Sequence, residues 1–150
     1  MNTLELEKYS SRLMGLIPPE RIVKAEFPRP SKEIIDRFLE IDGLTPTVSD
    51  VLDSMGIKGV ISASRLRPVI TGKKIVGPAV TIRYIPESIT PDYGHEQKER
   101  AKLADRDVYA IAEEGDVPVF DAAGLGDVSV MGGLSTLVAK KWGMAGNIVD

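Results

Sequence analysis

The chain has 150 residues, 43% of them hydrophobic, which suffices for one domain with a real core: about two-thirds of the unfolded surface can be buried at this size. A formal charge of −3 excludes a broad electrostatic attraction to nucleic acid or anionic lipid. The absence of cysteine excludes disulfides, a thiolate nucleophile and a cysteine-bound metal, and suits a reducing cytoplasm.

The N-terminal stretch, MNTLELEKYSSRLMGLIPPE, carries charges throughout and lacks the long apolar run of a signal peptide or membrane helix, so a cytosolic protein with no membrane partner is expected. Leu4, Leu6, Leu13 and Leu16 give residues 3–16 an amphipathic helical rhythm that Pro18-Pro19 ends; residues 1–30 read as an arm ahead of a domain at 31–150. Ser31 can cap a helix with apolar positions Ile34, Ile35, Phe38 and Ile41, stopping at Gly43. Thr45 as N-cap with Pro46 at the first helical position starts another, with Val48, Val51, Leu52 and Met55 as its stripe and Gly56 as its stop. Val69-Ile70, Ile75-Val76 and Ala79 to Ile85 read as strands, punctuated by Thr71-Gly72 and Gly77-Pro78. Ala101, Ala104, Val108 and Ile111 give a helix from Glu96 to Glu113, ended by Gly115.

The last segment, GDVPVFDAAGLGDVSVMGGLSTLVAKKWGMAGNIVD, reads as strand, glycine-rich loop, helix and strand. Val117 to Phe120 is a short buried strand, Asp121 to Gly133 a loop, and Leu134, Leu137, Val138 and Lys141 form the stripe of a helix that Gly143 stops. The whole order predicts a mixed α/β domain with at least part of its sheet parallel.

The first backbone N–H groups of that last helix lack internal partners and sit at the positive end of its dipole. Gly132, Gly133, Leu134 and Ser135 can therefore hold a carboxylate or phosphate, because two adjacent glycines let a ligand approach the backbone closely. Asp121, at the end of an apolar strand, is either a functional carboxylate or an acceptor for the N–H groups of its own loop. Asp116 reads as a turn residue, and Arg83, on TIRY, as facing solvent or a neighbouring subunit. AAGLGDVS fails as a dinucleotide fingerprint: Ser129 stands where a third small residue belongs, and the helix starts too late. Gly72-Lys73-Lys74 is not a Walker motif, His95 reads as a helix-start residue, and Ser62, Ser64 and Ser135 lack a histidine partner for a triad.

Three patches in order resemble the RraA-like family: TPTVSDVLDSMGIKGV (Thr45 to Val60), LRPVITGKKIVGPAVTIRYIPE (Leu66 to Glu87), and EGDVPVFDAAG with MGGLSTLVAKKWGMAGNIVD (Glu114 to Asp150). That family includes 4-hydroxy-4-methyl-2-oxoglutarate aldolases, the regulator of ribonuclease activity A and proteins once labelled demethylmenaquinone methyltransferases. The resemblance implies a swivelling β/β/α fold, a homotrimer or a hexamer of two such rings, and sites at subunit boundaries. It implies a lyase for pyruvate-derived 2-oxo acids, of the aldolase or oxaloacetate decarboxylase type, in which a divalent metal, usually Mg²⁺, stabilises the enolate. It puts the pyruvate carboxylate on the N–H groups of Gly132 to Ser135.

Two departures accompany the resemblance. Gly133 stands where the aldolases carry an acidic residue, and their Arg-Asp pair, which binds substrate and metal, would fall just past Asp150. The expected metal ligand therefore lies beyond Asp150, and the 150 residues are expected to be a piece of a longer protein. Both departures also fit the alternative of a non-catalytic protein-binding regulator.

Overall fold

A computed structural model of the chain describes residues 7–14, 17, 22, 27–86, 88, 90–97 and 105–150. Its sheet has three parallel strands in the order β1-β2-β3: β1 is Ala79–Arg83, β2 is Val117–Asp121 and β3 is Ile148–Val149. Helices α1 (Lys32–Glu40) and α2 (Leu44–Ser54) precede the sheet. Between β1 and β2 lie α3 (Pro91–Glu96) and α4 (Asp105–Ile111), and α5 (Gly133–Lys141) joins β2 to β3. The architecture is the expected mixed α/β type, because strands joined through helices return parallel to one another. Among the described residues no helix is long and apolar enough to cross a membrane.

The central strand β2 is covered on both faces, as its unbroken apolar run Val-Pro-Val-Phe requires. A proline there would ordinarily cost a ladder hydrogen bond. The Val117 N–H donates to the Pro78 carbonyl at 2.8 Å, on the β1 side, so by alternation Pro118 turns its nitrogen toward β3. Pairing with β3 starts only at Val119, opposite Ile148, and no bond is lost. Ile82, Tyr109, Phe120 and Ala139 form the buried cluster, with Tyr84, Val108, Met131, Val138, Trp142 and Met144 packed around it. The Phe120 ring stacks on Tyr84 and meets Tyr109 edge-on, with centroids 6.3 and 6.2 Å apart.

Two helix ends follow one chemistry. After α2, the Gly56 N–H donates to Asp53 O and the Ile57 N–H to Leu52 O; after α5, Gly143 donates to Lys140 O and Met144 to Ala139 O. Both are Schellman motifs, with Gly56 and Gly143 at positive φ where other residues strain. Ser31 caps α1 as expected, accepting from the Ile34 N–H, and Lys74 holds the other end through Leu39 O at 2.8 Å and Ile41 O at 2.6 Å.

Several elements differ from the sequence reading. Helix α2 starts at Leu44 rather than after a Thr45 cap, because Gly43 turns the chain in the left-handed region two residues earlier and its carbonyl takes both the N–H and the hydroxyl of Thr47. Val69-Ile70 and Ile75-Val76 are not strands; among the described residues they find no neighbour to pair with, and the third expected strand ends at Arg83. The helix expected from Glu96 to Glu113 is present as the end of α3 and as α4, while Ala101 and Ala104 lie outside the described residues. Of the arm helix, the described part is a 3-10 turn, Glu7–Tyr9; Leu4, Leu6 and Leu16 lie outside the described residues.

The described arm residues lie against the body. Arg12 places its guanidinium 3.9 Å from the centre of the Trp142 ring and donates to the Tyr109 carbonyl, and the Met14 N–H donates to Asp107 at 2.6 Å. Farther on, Arg29 grips Asp116 through two nitrogens and reaches Glu113 with Nε at 3.3 Å. Asp116 is thus no simple turn residue: it is fully buried and also accepts the Glu113 N–H at 2.8 Å. The hydrogen bond to Asp116 holds the Arg29 pKa above its ordinary value, against a smaller lowering by burial. That contribution to stability is complete below the ordinary arginine pKa and fades only as pH climbs through the raised value, in strong alkali.

Candidate functional site

The carboxyl ends of the strands converge on one edge of the sheet. Arg83 closes β1, Asp121 closes β2 directly opposite it, and Asp150 follows β3. Arg83 Nε lies 3.2 Å from Asp121 Oδ2; the arginine side chain is 81% exposed and the aspartate 46%. The other Asp121 oxygen accepts the Ala123 N–H at 3.0 Å, and Asp150 Oδ1 accepts the neighbouring Ala122 N–H at 2.5 Å. Adjacent amides of one turn are therefore held by carboxylates from two strands.

Of the two open readings of Asp121, the loop-capping one describes part of what the side chain does, and the rest of its carboxylate faces Arg83. Arg83 is exposed, as read, but has an intrachain partner as well. The turn is tight: Ala123 and Gly124 both have positive φ, and the Leu125 N–H returns to Ala122 O at 3.3 Å. A left-handed alanine costs about 1–2 kcal/mol. The two carboxylate contacts at Ala122 and Ala123 are what offset it.

The loop from Ala122 to Met131 ends at the start of α5, which then runs back along the sheet so that β3 can begin parallel to β2. This topology brings the positive end of α5 to the same sheet edge as Arg83, Asp121 and Asp150. Gly132 is the N-cap, with extended backbone and no side-chain cap, and its carbonyl accepts the N–H and hydroxyl of Thr136 at 3.0 Å each. Among the described residues nothing stands within 4 Å of where a side chain at Gly132 or Gly133 would begin. Leu134 is exposed and Ser135 buried. In general the first N–H groups of a helix can act as donors to an anion.

The buried stripe of α5 is not the one expected. Leu134 and Leu137 stand 72% and 64% exposed, while Ser135 and Ala139 face inward with Val138 and Trp142 beside them. Small residues at 135 and 139 let α5 pack close against α4 and the sheet, which leucines would prevent. His95 lies on α3, with its side chain outside the described part of the structure.

The described residues do not by themselves fit a complete site for a divalent cation. No group of three histidine or carboxylate side chains comes together among them, and Asp121 and Asp150 are both engaged.

A family model described as RraA-like (Aldolase/RraA) matches residues 45–150, taking in all three strands, α5 and the loop between. The chain belongs to the RraA-like family. Protein DlpA of Legionella pneumophila subsp. pneumophila is 32% identical over 102 residues, covering 68% of this chain and 15% of DlpA. The chain thus spans about 15% of the length of the curated relative it matches. No solved structure matches it. The RraA-like family includes both aldolase-type lyases and regulators.

Sequence reasoning missed the Arg83–Asp121 pair and the hold of Asp150 on Ala122 at this edge and, at the opposite end of β2, the burial of Asp116. The first two depend on strand register, which no local pattern encodes. For Asp116, the signal was an acidic residue next to an apolar strand with an arginine upstream, and only the fold pairs them.

Proposed function

We propose that the chain is the carboxylate-binding part of a lyase acting on pyruvate-derived 2-oxo acids, of which 4-hydroxy-4-methyl-2-oxoglutarate is the representative substrate. The observation that carries this reading is the start of α5 at the sheet edge, which has no side-chain cap and, among the described residues, no neighbour within 4 Å of where a side chain at Gly132 or Gly133 would begin. Its N–H groups at Gly133, Leu134 and Ser135 would bind the carboxylate and hold the adjoining oxo group at the edge where Arg83 and Asp121 stand. In retro-aldol cleavage the bond between C3 and C4 breaks, its electron pair passes into the pyruvate enolate, the C4 hydroxyl becomes a carbonyl as its proton passes to water, and the enolate then takes a proton at C3 from solvent. N–H donors and the helix dipole favour that anion. A divalent metal, Mg²⁺ by resemblance, would supply Lewis-acid stabilisation of the enolate. A homotrimer or hexamer, the swivelling β/β/α arrangement and a cytoplasmic location belong to the same proposal.

The test is pyruvate binding followed by amide NMR. Shifts should concentrate at Gly132 to Ser135, and Gly133→Pro should weaken binding about tenfold while the helix stays folded, because proline is tolerated at the first helical position and removes only a donor. Shifts confined elsewhere would sink the proposal. Pyruvate release from oxaloacetate that persists in excess chelator would remove the metal from it.

A second reading, a protein-binding regulator, is favoured by Gly133 in place of an acidic residue and by the exposed Leu134 and Leu137 flanking the same helix start. Turnover that is lost in Gly133→Pro with the oligomer intact would dispose of it.

A further inference from the structure

Arg83 is the one cation that the strand ends bring to the candidate edge, and cradling the first carboxylate does not use it. Its side chain is 81% exposed and only Nε contacts Asp121. Among the described residues the terminal nitrogens meet no acceptor, which leaves the outer fork of the guanidinium, with its parallel donors, open to a planar anion. Asp121 does not need the arginine to stay in place, because its other oxygen is anchored to the Ala123 N–H. An exposed pair of this kind holds weakly, so exchanging or sharing that partner with an incoming carboxylate costs little.

We infer that Arg83 is a substrate-binding residue that selects 2-oxo acids with a second carboxylate, bound by the guanidinium while the first lies at the start of α5. This rests on the proposed carboxylate site at Gly132 to Ser135. One anion held by N–H groups and the other by an arginine fix the two ends of the substrate, and the cleaved bond lies between them. The side chain acts on recognition and takes no proton.

The test compares two five-carbon ligands that differ only at the far end, 2-oxoglutarate and 2-oxopentanoate, by titration calorimetry of the full chain with Mg²⁺ present. The chain should bind 2-oxoglutarate about tenfold more tightly. Arg83→Gln should abolish the preference with 2-oxopentanoate affinity unchanged, and Arg83→Lys should restore part of it. Equal affinities, a preference that survives Arg83→Gln, or a variant that weakens both ligands alike would overturn the role of Arg83 while leaving the oxo-acid site standing. If neither ligand binds the unaltered chain, the site and the inference fall together.

Discussion

Two stretches of similar apolar content are treated in opposite ways by the fold. From Asp105 to Asp150 the apolar residues are used: Tyr109, Ala110, Phe120, Ala122 and Ala139 are all within 2% of full burial. From Leu44 to Pro78 no residue is buried, and Val51, Met55, Val60, Ile61, Val69 and Ile70 are each more than half exposed. The difference lies in what each stretch has to pack against. The first contributes the central strand and the helices α4 and α5, which pack on each other and share one cluster with Ile82 and Phe120, so apolar faces meet. The second contributes one helix and a long irregular segment, with no strand neighbour for its β-branched residues. A hydrophobic pattern states that a face is to be covered; it does not say by what.

That contrast can be broken at its strong end first. Phe120→Ala, at the centre of the aromatic cluster, should cost about 4 kcal/mol in urea unfolding. Asp116→Ala should cost about 3 kcal/mol, because Arg29 loses its grip and the Glu113 N–H loses its acceptor. A cost under 1 kcal/mol, on the order expected for an exposed pair, would mean that the 27–30 segment is not held to the body. At the turn, Ala123→Gly should stabilise by about 0.5 kcal/mol, the relief of left-handed strain exceeding the added backbone entropy. Loss of stability there would show that the Ala123 methyl packs on something.

The weak end sharpens the contrast. Val69→Ser with Ile70→Ser should change the unfolding free energy of dilute chain by less than about 0.5 kcal/mol. The same pair should shift light scattering toward smaller species if copies of the chain cover this face. A loss of about 2 kcal/mol without any change of assembly would mean that the segment packs within its own chain.

Legibility followed the same division. Several local interactions were told by the sequence in advance, Ser31 as cap, Gly56 and Gly143 as stops and the apolar run Val117 to Phe120 as a strand ending at Asp121, although it misplaced the start of α2 at Thr45. Where a neighbour decides, it did not foretell the outcome. Val69-Ile70 has strand residues but no partner strand, and Leu134 and Leu137 have helical spacing but face outward because α4 demands small residues at 135 and 139. The start of α5 after the glycine-rich loop was legible because Gly132-Gly133 precedes the helical run. The Arg83–Asp121 pair was not, since it follows from which strands are neighbours and in what register.

The sequence by itself determined the family and the mixed α/β character, which rest on motifs and on interactions within a few residues. Only the tertiary structure decided that Arg83, Asp121 and Asp150 meet at one edge, that Asp116 is a buried partner of Arg29, and which face of α5 is covered. Those outcomes come from contacts between segments far apart in the chain, and their free energy is set by packing and register rather than by any local preference.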